Sequence, residues 1–137
     1  MSWDVSILKF SRPYTSVADI DDDEQPQDLG PVTEVHGAVK AVFAEVDFGD
    51  AAWGRWESEI GSIEFNIGRE NPVQSMMLHV RAEPEVVPRI VELCRANGWR
   101  AIDCNDGEFL DHGPDPAKGL LEWAAYRDRV IGRENDD

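Results

Sequence analysis

The chain has 137 residues, 42% of them apolar and five of them tryptophan, which is enough to bury a core without disulfide or metal staples. It carries 28 Asp+Glu against 13 Lys+Arg, a formal net charge of −15. Charge of this sign opposes nucleic-acid backbones and anionic membranes and favours a basic partner, a cation or no charged partner at all.

Within residues 2–10, Trp3, Val5 and Ile7 alternate with polar neighbours and predict a half-buried strand. A polar stretch follows at 11–30. It contains the acidic run from Asp19 to Glu24 and reads as a long loop docked through Tyr14, Val17 and Ile20. Pro31 opens a helix, where its missing N–H costs nothing. Val32, Val35, Val39, Val42, Phe43 and Val46 form that helix's apolar stripe. Asp47 to Ala52 reads as the turn that ends it. Strands are predicted over 54–59, 62–67 and 74–81. In them Ile63, Phe65, Met76, Leu78 and Val80 point inward, while Glu64, Asn66, Met77, His79 and Arg81 point outward.

A second helix starts at Glu83-Pro84, with Val87, Ile90, Val91 and Cys94 inward and Asn97-Gly98 as its stop. Pro88 comes late for a first-turn proline and predicts an irregular start. Residues 99–104 read as a last strand, with Ile102 inward and Ala101 and Asp103 outward. Asn105-Asp106-Gly107 is a turn, 111–118 a loop, and 119–132 a third helix carrying Leu120, Trp123, Ala124, Val130 and Ile131. The expected organisation is one domain over 1–133 with a frayed acidic tail at 134–137. The order β-α-β-β-β-α-β-α predicts an α+β two-layer sandwich: a mostly antiparallel sheet with helices on one face, a ferredoxin-like variant.

Three features are candidates for function. The first is the polar sheet face, where parity collects Glu64, Asn66, His79, Arg81 and Asp103 into a set able to bind a small ligand or do acid–base work. The plainer reading is a solvated face with His79 and Arg81 satisfied by carboxylates across the strands. The second is the segment Asp103–His112, rich in oxygen donors. Its glycine and glutamate positions fail the calcium-loop pattern, so no metal is assigned. The third is the pair Trp53 and Trp56 around Gly54-Arg55, either an interface anchor or core.

Cys94 and Cys104 fit no zinc spacing. Cys94 reads as a buried helix residue and Cys104 as a strand-end residue; a disulfide between them is open but disfavoured in a reducing compartment. No phosphate loop, nucleophile elbow or paired metal-ligand histidines occur, and no cofactor is expected.

Several segments carry a resemblance: Met1-Ser-Trp-Asp4, Trp53-Gly54, Ser62-Ile-Glu-Phe-Asn-Ile-Gly68, Met77-Leu-His-Val-Arg81 and Ala101-Ile-Asp-Cys, followed by Gly107-Glu-Phe109. Together they resemble a family of small acidic bacterial proteins with no assigned activity. The resemblance implies a bacterial, soluble, one-domain protein and supplies no catalytic residues. By analogy of size and charge alone, such a protein suits an immunity or antitoxin-like role.

The expected function is therefore a non-enzymatic binding protein with a basic protein partner. Asp21, Asp22, Asp23 and Glu24 of the loop, with Asp106, Glu108 and Asp111, are its expected contact residues. The alternative is a small-molecule or enzymatic site around His79 and Arg81, with homodimerisation compatible with either. No bilayer-length apolar run and no signal-peptide pattern are present, so the expected location is the cytoplasm.

Overall fold

The computed structural model describes residues 2–113 and 115–135, with side chains as far as 130. Among these residues a six-stranded sheet and three helices form an α+β fold. The strands are β1 (Trp3–Leu8), β2 (Asp47–Asp50), β3 (Trp53–Ser58), β4 (Gly61–Asn66), β5 (Met76–Ala82) and β6 (Arg100–Asp103). The helices are α1 (Val32–Val42), α2 (Val87–Asn97) and α3 (Lys118–Asn135). The spatial order is β2-β3-β4-β5-β1-β6, and every neighbouring pair is antiparallel.

Inward residues of the strands and the apolar stripes of all three helices join one buried cluster. Trp3, Val5 and Ile7 of β1, Ile63 and Phe65 of β4, and Met76, Leu78 and Val80 of β5 supply the sheet side. Val35 and Val39, with Phe43 just past α1, meet them from above. Phe43 stands edge-on to Trp56 and Phe65, with ring centroids 5.1 and 5.3 Å away, the spacing at which aromatic pairs attract. Leu120 and Trp123 bring α3 onto the same side, so among the described residues no helix covers the opposite sheet face.

α2 begins irregularly because a 3₁₀ turn at Pro84–Val86 precedes it; Pro88 then falls in the first α-helical turn, where proline is tolerated. It ends at Gly98, whose φ of 69° is the left-handed conformation glycine adopts without a Cβ penalty.

Two expectations need correction. Residues 47–50 are not only turn but an edge strand, β2. Its sequence Asp-Phe-Gly-Asp has poor strand character, and its pairing with β3 shifts register between Asp47 and Asp50. Phe48 is half-buried and stacks on His36 at 4.0 Å. Tertiary pairing, not local preference, makes this strand.

The parity of β6 is also reversed. Val5 pairs with Asp103 and Ser6 with Ile102, and paired residues share a face. Asp103 and Ala101 therefore point into the core, and Ile102 outward. The predicted tail at 134–137 begins inside α3, which runs to Asn135; its last two residues, Asp136 and Asp137, lie outside the described residues.

Truncating Phe43 should remove the contact between α1's end and the sheet. Phe43→Ala is expected to lower unfolding free energy by about 3–5 kcal/mol in urea melts with an unchanged slope. A loss below about 1 kcal/mol would contradict this packing.

Candidate functional site

The outer sheet face is built by register. Asp4, His79 and Glu64 lie side by side on β1, β5 and β4. His79 Nδ1 lies 2.9 Å from Asp4 Oδ1, and Ser2 Oγ donates to the same oxygen at 2.6 Å. Partial burial pushes the Asp4 carboxyl up, but the hydrogen bonds from Ser2 and His79 outweigh it and hold it below its ordinary value. Trp53 stacks beside His79 at 5.7 Å. Glu64 lies 4.0 Å from the Arg81 guanidinium. Asn66 borders a shallow hollow of about 350 Å³ with Arg69, Glu70 and Gln74. Four of the five residues expected to share this face do so; Asp103 lies on the other side of the sheet. Trp56 and Trp99 belong to the core, and only Trp53 stays partly exposed.

The second candidate region is assembled by a turn and a clamp. After β6 the chain doubles back. Gly107 N–H donates to Asp103 O at 2.7 Å, Asp103 N–H to Glu108 O at 2.9 Å and Leu110 N–H to Ala101 O at 3.0 Å. This presents Glu108 to the 11–30 loop. Its Oε1 accepts from Val17 N–H at 2.8 Å and from Phe109 N–H at 3.0 Å, and its Oε2 accepts from Ser16 Oγ at 2.9 Å. The Val17 N–H above all holds the Glu108 carboxyl below its usual range. Arg100 adds a second tie. Its guanidinium lies 3.8 Å over the Phe109 ring, donates to Tyr14 O at 2.5 Å and pairs with Asp111 at 3.3 Å. His112 Nδ1 meets Thr15 O at 3.2 Å.

The seven carboxylates expected to meet a partner thus divide. Glu108 joins the two segments directly, and Asp111 pairs with Arg100, whose guanidinium also bonds to Tyr14 O of the loop. Within the loop, Asp21 pairs with Arg12 at 2.6 Å, and Glu24 accepts from Ser11 N–H and Oγ. Asp22, Asp23 and Asp106 are exposed. Asp23 reaches Arg12 only at 3.9 Å with 87% of its side chain in solvent. Asp106 accepts Glu108 N–H at 2.9 Å through one oxygen.

Beside this surface lies a cavity of about 330 Å³ between the 103–112 segment and the start of α3. Asp103 lines it while only 2% exposed. Its Oδ1 accepts from Asn105 N–H at 2.7 Å. Its Oδ2 lies so close to the Gly119 backbone that a Cβ there would collide with it, which is why α3 carries glycine at this point. Burial pushes the Asp103 carboxyl up, the Asn105 N–H opposes this, and the Asp106 charge adds to it. The buried Trp3 indole N–H lies near enough to favour the ionised form without reaching hydrogen-bond geometry.

Among the described residues no group of three or more His, Cys, Asp or Glu is placed to hold a metal ion. Both cysteines are free thiols. Burial pushes Cys94 up to about 12, and burial with the Asp4 and Asp103 charges raises exposed Cys104, so neither is an activated nucleophile. No described helix is long and apolar enough to cross a membrane.

No protein-family model, curated protein or solved structure matches the chain. Two features escaped the sequence. The Glu108 clamp joins residues 92 positions apart, and nothing local marks it. The inward turn of Asp103 did have a signal: Trp99, Ala101 and Asp103 alternate, and the first two are plainly apolar.

Asp103 has a testable signature. Its pKa is raised above the unfolded value of 3.8. A raised carboxyl is most favourable when protonated, below the unfolded value, and that contribution is lost as pH rises through the folded pKa. Asp103→Asn keeps the acceptor for Asn105 N–H and removes the charge. Urea melts should find it at least as stable as the parent at neutral pH, with the advantage shrinking as pH falls toward the unfolded value. Marked destabilisation at neutral pH would contradict the reading.

Proposed function

We propose that the protein is a non-enzymatic binding protein that captures a basic protein partner through the surface formed by loop 11–30 and segment 103–112. One observation carries this reading: Glu108 joins the two acidic segments into a single surface. Asp22 and Asp23 of the one segment and Asp106 of the other are exposed, with their charges little compensated. A net charge of −15 steers a basic protein toward the molecule from a distance. An immunity or antitoxin-like role, in which such a partner is neutralised, suits this arrangement.

A second reading places a small ligand on the open sheet face around His79 and Arg81. What favours it is the Asp4–His79 pair under the flank of Trp53, with no helix among the described residues packed over that face. We also read β4-β5-β1-β6 with α1 and α2 as a ferredoxin-like unit extended by β2, β3 and α3. The support is that α2 links β5 to β6 across β1, while the stretch through α1 and the β2–β3 hairpin links β1 to β4 across β5.

The test compares tagged parent protein with the variant D22N/D23N/D106N as bait in lysate of the source cell, at low and moderate salt. The parent should retain one stoichiometric basic protein that is lost as salt rises. The variant should associate with it about 10-fold more slowly or worse. No retained partner, or equal capture by the variant, would defeat the proposal.

A further inference from the structure

The cavity beside Asp103 holds a feature that the acidic surface alone does not require. A carboxylate 2% exposed has no cationic partner among the described residues. Buried charges are ordinarily paired, because desolvation without compensation is costly. Neutral donors satisfy part of this one: Asn105 N–H at 2.7 Å, with the Trp3 indole N–H and the Asp106 N–H nearby; none of them carries a charge. The start of α3 beside it offers a partial positive charge, which is weaker than an ion. Lys118 lines the same cavity, but its ammonium is 3.9 Å from Glu122 and exposed. The Asp106 charge nearby makes the interior still more negative.

The rest of the cavity is largely apolar. Phe109, Leu110 and Pro116 supply its apolar walls; Asp106 and Asp115 stand at exposed positions around it, and Glu108 and His112, which are turned to the 11–30 loop by their hydrogen bonds to Val17 N–H and Thr15 O, also border it. Apolar walls with a carboxylate between them and acids around them suit a long side chain with an aliphatic stem and a cationic head. A volume of about 330 Å³ has room for one such chain. The guanidinium head is the better match, because it is weakly hydrated and offers several donors to a carboxylate.

We infer that this cavity is a socket for one arginine side chain of the basic partner, its guanidinium bonded to Asp103 and its methylenes against Phe109, Leu110 and Pro116. This rests on the reading that the acidic surface binds a basic protein, and it names the anchor of that complex. Anchors of this kind, an arginine in a desolvated pocket, carry a large share of interface energy.

The probe is N-acetyl-arginine amide, titrated into the full chain and followed through the backbone amide NMR signals. Its neutral isostere, N-acetyl-citrulline amide, is the control. The arginine derivative should bind with a Kd on the order of 1–10 mM, as expected of a single side chain without its protein. The shifts should centre on the Asn105, Gly119 and Leu120 amides. Citrulline should bind at least about 10-fold more weakly, and Asp103→Asn should abolish the response. If that variant fails to fold, the arginine–citrulline difference in the parent still decides. Equal response to both probes, shifts spread evenly over the acidic surface, or none at the highest concentration would overturn the socket. If it fails while the parent still captures a basic protein that D22N/D23N/D106N loses, only the anchor is wrong. Loss of both removes the acidic-surface reading as well.

Discussion

The carboxylate of Glu108 receives three donors from two parts of the chain that the sequence keeps far apart. Its strength is local: charge-assisted hydrogen bonds to backbone N–H groups are about twice as strong as neutral ones. Its consequence is not local. The 11–30 loop has few apolar anchors, with Tyr14 and Leu29 buried and Val17 and Ile20 only partly covered. A loop so acidic repels itself and gains little from burial. Two hydrogen bonds from the loop to that carboxylate, and the Arg100 contact to Tyr14 O, give it a fixed place. The proposed partner surface depends on that fixing, since charges on a roaming loop would not present a single pattern to a partner.

The sheet behind this surface divides its labour by face. The inner face is apolar but for Asp103, and all three helices cover it. The outer face is uncovered and is a mosaic in which Asp4 meets His79 and Glu64 meets Arg81. Such pairs across strands satisfy one another and contribute modestly to stability. The acids on the loop side are less compensated. The contrast is what ranks partner binding above ligand chemistry on the sheet.

Much of the architecture was legible because its residues obey one period at a time. β1, β4 and β5 alternate strictly, and their buried residues are the ones the alternation names. α1 and α2 show the helical stripe, and Asn97-Gly98 ends α2 where a left-handed residue is needed. β2 was not legible, since its Asp-Phe-Gly-Asp sequence is turn chemistry and only pairing with β3 extends it. The parity of β6 is hard to read from sequence, because Ile102 attracts the inward assignment that Asp103 holds. A polar residue in an inward position conflicts with the pattern that makes the rest readable, and such conflicts concentrate where a fold does something besides fold. On the sheet face, parity placed Glu64, Asn66, His79 and Arg81 together. The meeting of the two acidic segments is a long-range event without a local signature.

The most direct test of this account is hydrogen exchange at the Val17 amide in the unmodified protein at neutral pH. The Glu108 clamp predicts strong protection there, in contrast to the neighbouring exposed loop amides of Arg12 and Asp22, and loss of that protection in Glu108→Ala while the amides of β4 and β5 keep theirs. If Val17 exchanges as fast as Asp22, the loop is not held, the two acidic segments do not form one surface, and the proposed mode of partner capture falls with it.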